Sequence, residues 1–173
     1  MNKSMIFKAM AIVIALTACT ALAACSDDND DPDVPEQKGY KSIIADYSLT
    51  VSDDYLAIYD LVADYSFDDE HHSESINTTT WTVNKTFTSN QPKHFTCVVT
   101  ATPKANLPEY AADAKITLWQ KHLLKVNGVN ANGITSILKS ESNENTASFS
   151  GDDLAKIVSR GPRTVLSLDY TRK

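Results

Sequence analysis

From Lys41 onward the chain alternates apolar and polar residues, the pattern of strands that bury one face. In 43–51, Ile43, Ala45, Tyr47, Leu49 and Val51 share one face, and Ile44, Asp46, Ser48 and Thr50 the other. Over 59–68, Tyr59, Leu61, Ala63, Tyr65 and Phe67 oppose Asp60, Asp64, Ser66 and Asp68. Over 78–88, Trp81, Val83 and Phe87 oppose a row of Thr and Asn. Over 93–102, Phe95, Cys97, Val99 and Ala101 oppose Thr96, Val98 and Thr100. Nine threonines between positions 78 and 102 suit pleated, half-exposed surfaces.

The second half carries a weaker signal. Residues 114–126 alternate as a strand with Ile116, Leu118, Leu124 and Val126 on one face. Ile116, Trp119, Leu123 and Val126 also fall at helical spacing. Lys115-Ile116-Thr117-Leu118 and the β neighbours favour the strand. Residues 127–133 read as a turn with two glycines, 134–139 as a strand and 141–146 as a polar loop. One helix is expected after Ser150-Gly151-Asp152-Asp153, an N-cap with acids in the first turn. Its apolar stripe is Leu154, Ile157 and Val158, and Arg160-Gly161-Pro162 stops it. Residues 164–171 close the chain as a strand burying Leu166, Leu168 and Tyr170.

The expected fold is therefore all-β, an antiparallel immunoglobulin-like β-sandwich of about seven strands with one short helix near the C-terminus. No Cys–Trp–Cys pattern is present, so the label describes architecture alone.

The first residues break this pattern. Lys3 and Lys8 precede an apolar run over 9–18, and small residues follow. The run is too short to span a bilayer and reads as a signal peptide. Leu22-Ala23-Ala24-Cys25 resembles the lipobox of bacterial lipoproteins. The resemblance implies lipid transfer to the Cys25 sulfur, cleavage before it and acylation of the new amino group, with the bilayer as partner. Two or three acyl chains anchor stably where one is marginal. Cys19 would leave with the peptide.

An acidic stretch with two prolines follows over 26–36, a tether rather than a core. It resembles the surface-export signal of Bacteroidota lipoproteins, which implies an outer-membrane protein facing the exterior. Asp27, Asn29 and Asp31 do not open a calcium loop, because Pro32 stands where the turn needs Gly. The domain plan is a signal peptide at 1–24, lipidated Cys25 and tether at 25–40, and a sandwich at 41–173. Signal, tether and strand pattern together resemble small Bacteroidota surface lipoproteins with a β-sandwich, a family that supplies no catalytic motif.

Composition refines this plan. The 173 residues hold 16 Lys+Arg and 22 Asp+Glu, a net charge of −6, with no basic footprint for nucleic acid. Removing 1–24 leaves 14 bases against 22 acids, or −8, and six of the acids lie in 26–36. The acidity belongs to the tether.

Candidate chemistry is sparse. Asp68-Asp69-Glu70-His71-His72, with Glu74 nearby, is the densest polar cluster, and Asp69, His71 and His72 are its weak metal candidates. Adjacent strand residues face opposite ways, so both histidines could chelate together only from a loop. A solvated hairpin tip is the simpler expectation. His94 and His122 are isolated. Gly128 and Gly133 have P-loop spacing, but Ile134 stands where Lys is required. Cys97 reads as a buried small apolar residue. The pairs Asp53-Asp54, Asp68-Asp69 and Asp152-Asp153 sit at turn or helix-start positions.

Among the aromatics, Trp81, Trp119, Tyr40, Tyr55 and Tyr110 could stack on a sugar ring if exposed; Trp119, with Tyr110, is the better candidate, and Trp81 is expected in the core. The expected function is a tethered, non-enzymatic binding module without cofactor, for a glycan or an envelope protein. The alternatives are a metal-dependent or hydrolytic enzyme centred on Asp68–His72, and a structural or adhesive subunit with an exposed edge strand.

Overall fold

A computed structural model describes residues 39–88 and 91–173. The expected signal peptide, Cys25 and all but the last two residues of the expected tether lie outside them. The described chain is an antiparallel β-sandwich of two four-stranded sheets. The strands are β1 (Ser42–Val51), β2 (Tyr59–Phe67), β3 (Glu70–Ile76), β4 (Thr80–Phe87), β5 (His94–Pro103), β6 (Lys115–Val129), β7 (Thr135–Ser150) and β8 (Arg163–Thr171). One sheet has the order β4-β1-β6-β7 and the other β3-β2-β5-β8. All pairings are antiparallel.

The alternation read from the sequence is the burial pattern of the central strands. On β1 every second residue from Ile43 to Val51 is buried, and on β5 the same holds from Phe95 to Ala101. These rows meet between the sheets and form one core. Trp81 and Cys97 belong to it, as expected. Residues 115–129 are a strand, because a sheet neighbour on each side fixes the two-residue period.

The described residues form eight strands, in keeping with the expected seven or so. Two details differ from expectation. There is a second helix, α1 (Asp53–Ile58), capped by Ser52, whose Oγ accepts from the Tyr55 amide at 3.3 Å. Six residues are too few to show a helical period. The segment 141–146, expected as a loop, is the middle of β7, paired throughout with β6. It is polar on both faces, so alternation could not reveal it.

The expected late helix, α2 (Leu154–Val158), follows a 3-10 turn at Gly151–Asp153. Ser150 caps neither of them; its Oγ donates to Asp153 Oδ2 at 3.0 Å. A side chain at Gly151 would run into the Ala111 carbonyl, so this crossing needs glycine. At the β6–β7 turn Asn130 Oδ1 accepts from the amides of Asn132 and Ile134, both at 2.9 Å, and Gly133 takes φ +77°.

The registers define two ends of the sandwich. One gathers Tyr40 and Lys41, the Asp68–Asp69 turn, Lys93, the β6–β7 turn and Arg172. Cross-sheet ring contacts such as Phe67–Phe87, 5.0 Å between centroids, join the two sheets near it. The other end carries α1, residues 104–114 and the segment 151–162.

Candidate functional site

The inward face of the sandwich turns polar at one edge. On β6 the buried phase runs Ile116, Leu118, Gln120, His122, Leu124, Val126, so two polar side chains interrupt it. Their register partners on β7 are Asn145 and Asn143, followed by Glu141 and Lys139. Partners across an antiparallel pair share a face, so β7 presents amides and charges where an inner strand would present apolar groups. On the opposing sheet a bulge at Val165 shifts the β5–β8 register. Arg163, paired with buried Ala101, thereby shares the inward phase.

The result is a groove between edge strands β7 and β8. Its main part has a volume of about 740 Å³ and is lined by His122, Glu141, Asn143, Thr164 and Val165, among others. A recess of about 130 Å³, lined by Tyr55, Gln120, Asn145 and Arg163, shares Thr164 with it. Residues 140 to 147 of β7 line the two, a run of roughly 25 Å at strand rise.

Several groups in the groove are held in place. Tyr55 Oη donates to Gln120 Oε1 at 2.9 Å, and Gln120 Nε2 donates to the Val165 carbonyl at 3.3 Å. The Arg163 guanidinium lies over the rings of Tyr59 and Tyr55, 4.6 and 5.1 Å from their centroids. Burial raises the Tyr55 pKa, with Arg163 opposing. His122 is 8% exposed, and its Nδ1 has no hydrogen-bond partner. Burial lowers its pKa, with Glu141 opposing, which favours the uncharged ring. Glu141 pairs with Lys139 at 2.7 Å. The groove therefore offers amides, hydroxyls and a neutral imidazole, with little net charge.

The residues expected to stack on a ligand lie elsewhere. Trp119 is half-buried on the outer face of the β4-β1-β6-β7 sheet. Its Nε1 donates to Glu144 Oε1 at 3.0 Å. That bond, and then Lys121, hold the Glu144 pKa below the usual carboxylate range. Tyr110 lies in the segment joining β5 to β6. Burial, followed by the Asp54 carboxylate to which its hydroxyl is bonded, raises its pKa. Asp54 Oδ2 also accepts from the Thr117 amide at 2.8 Å. Trp119 and Tyr110 thus engage different carboxylates, and no ring contact joins them among the described residues.

The acidic and histidine cluster is distributed, not convergent. The turn is only Asp68 and Asp69, and Glu70 already begins β3. Asp68 adopts φ 51°, and its Oδ1 accepts from the amides of Lys93 and His94 at 2.9 and 2.7 Å. Glu70 takes Lys85 at 2.5 Å and His72 at 3.0 Å, and these partners, Lys85 first, lower its pKa. His72 stacks on Tyr65, 4.8 Å between centroids. His71 pairs with Ser66 and, one residue from His72 on a strand, points the other way. Among the described residues no three His, Cys, Asp or Glu side chains gather as a metal would need.

Asp68 is thus a clamp between the β2–β3 turn and the start of β5. Asp68→Ala is expected to lower stability by about 2–3 kcal/mol, since it removes an ionised acceptor of two amides and leaves a strained φ. Asp68→Asn keeps the acceptor and should lose about half as much. Urea unfolding followed by tryptophan fluorescence measures both.

The remaining candidates have structural settings. Trp81 Nε1 donates to Glu74 Oε1 at 2.8 Å, so its ring sits in the core with its N–H paired at the edge. Cys97 is fully buried, and burial, with Asp64 adding, pushes its thiol up to about 12. His94 pairs with Asp169 at 2.9 Å on the surface. Comparison of the chain with family models, with characterised proteins and with solved structures finds no match in any of the three.

The groove was partly legible in the sequence. Gln120 and His122 stand at the buried phase of an otherwise apolar alternation. Tyr55 was visible only as one of several aromatics, and Asn143, Asn145 and Arg163 gave no signal, because they join the groove only through strand pairing.

Proposed function

We propose that this chain is a lipid-anchored binding module facing the outside of a bacterial envelope. Its binding region is the groove between β7 and β8, and its ligand is an uncharged, hydroxyl-rich chain, a glycan segment. The observation that carries this reading is the inward row Asn145, Asn143 and Glu141 facing Gln120 and His122. Amides and a neutral imidazole with open bonding capacity suit hydroxyls, which both donate and accept. A run of roughly 25 Å gives several sugar units room to engage at once. The lipobox resemblance and the acidic tether support the anchored location. Trp119 and Tyr110 do not line this groove, so they are not part of the proposed site.

A glycan array probed with the purified full chain tests the reading, followed by calorimetry with the best hit. Asn143→Leu together with Asn145→Leu should weaken binding at least tenfold and leave folding intact, because both side chains are exposed. Unchanged affinity in that double variant would move the site out of the groove.

The structural or adhesive alternative has one observation in its favour. β7 is 16 residues long and stands at a sheet edge, a template for an added strand. Inward-facing Lys139 and Glu141 work against such pairing, because a partner strand would have to desolvate them. Concentration-dependent association in sedimentation would favour this alternative over the glycan reading.

A further inference from the structure

The two ends of the sandwich differ mainly in apolar exposure. The end that receives the chain from the tether carries Lys41, Lys93, Arg172 and Lys173 against Asp68, Asp69 and Glu70, the last paired with Lys85. One Asp68 oxygen is already taken up by two backbone amides. The far end carries Asp53, Asp54, Glu109, Asp113, Asp152 and Asp153 against Lys104, Lys115, Lys156, Arg160 and Arg163.

The large apolar side chains that stand exposed are also at the tether end. Ile134 is 60% and Ile137 65% exposed, one in the β6–β7 turn and one just inside β7. Lys41 is bonded to Val129 at the base of that turn, its amide 2.7 Å from the Val129 carbonyl. Whatever its path, the chain from Cys25 to Tyr40 can reach at most about 50 Å. The 15 residues of β6 separate the two ends by a similar length. The β6–β7 turn stands beside the point where the chain enters β1.

We propose that the β6–β7 turn is a membrane-contact surface. Ile134 and Ile137 enter the headgroup region of the bilayer, and Lys41, Lys93 and Lys173 face anionic lipid. This rests on the lipid anchor of the proposed function and adds an orientation to it. Two isoleucines and a few lysines bind lipid weakly on their own. Tethering makes the contact intramolecular, so that weak affinity suffices. The orientation turns the far end, and with it the Arg163–Tyr55 recess, away from the bilayer.

The test uses the full chain, acylated in a bacterial host, with Ile134→Cys carrying an environment-sensitive fluorophore. Cys97 is fully buried and stays unlabelled in the native state. The same fluorophore on Asn106→Cys, at the far end, is the reference. Both proteins are reconstituted into vesicles of phosphatidylethanolamine and phosphatidylglycerol with nitroxide-bearing lipid, and intact mass reports acylation at Cys25. The expected result is a blue-shifted Ile134→Cys label quenched at least twofold more than the Asn106→Cys label. Substituting Ile137→Ser beside it, or using phosphatidylcholine vesicles, should reduce that difference.

Equal, water-like emission from both labels in an acylated protein overturns the contact surface and leaves the anchor standing. Where intact mass shows no acylation, Cys19→Ser and Cys25→Ser are added so that only residue 134 takes the fluorophore, and a label still quenched then removes the anchor and keeps the surface. An unacylated chain with neither label quenched overturns both.

Discussion

Phe67→Ala is expected to cost about 3–5 kcal/mol, a third or more of the stability of an ordinary domain. Phe67 is 3% exposed and stands at the hub of the aromatic part of the core. Its ring lies 5.0 Å from Phe87, 5.7 Å from Tyr65, and 6.1 Å from both Tyr47 and Phe95, centroid to centroid. Lys85 Nζ sits 5.5 Å from the same centroid. Phe87 comes from the opposite sheet, so truncation at Phe67 opens a cavity at the contact between sheets. The rings around it are held by their own strands and cannot all collapse inward.

Ile137→Ala is the control. Its side chain is 65% exposed, and the change should stay within about 0.5 kcal/mol. Urea midpoints with an unchanged slope measure both. A loss below about 1.5 kcal/mol for Phe67→Ala would mean that the two sheets are not locked through this ring.

Cys25→Ala is expected to abolish lipid attachment outright. A thioether to diacylglyceryl needs the Cys25 sulfur, and the alanine methyl offers no nucleophile. Each buried methylene contributes about 0.8 kcal/mol, so one chain is marginal and two or three hold the protein for its lifetime. Growth with labelled palmitate should give a labelled wild-type chain and an unlabelled Cys25→Ala chain. The mass of the wild-type protein should correspond to a start at Cys25, and the variant should keep residues 1–24. Cys19→Ala should label like the wild type, because in the proposed lipoprotein Cys19 leaves with the peptide. Label retained in Cys25→Ala would end the lipoprotein reading.

The aromatic hub was legible without coordinates. Phe67, Phe95 and Tyr47 declare themselves by period-two alternation, because a strand that buries one face must repeat its apolar residues every second position. Alternation fails where an edge strand is polar on both faces. For that reason the middle of β7 resembled a loop, and the row Asn143–Asn145 stayed hidden. It fails again over six residues, and α1 went unseen.

The sequence by itself determined the class of fold, the strands of the two central pairs, the placement of Trp81 and Cys97 in the core, and the concentration of six acids in 26–36. These follow from local period and composition. The tertiary structure decided which strands became edges, and therefore which inward-facing positions were left without a covering layer. It brought Tyr55, Gln120, His122, Asn143 and Arg163 around one groove from four separate elements. It also dispersed the cluster at 68–72, spending Asp68 on two amides and turning His71 and His72 to opposite faces. Pairing between distant strands sets these outcomes, and the free energy of such pairing depends on partners that no local window contains.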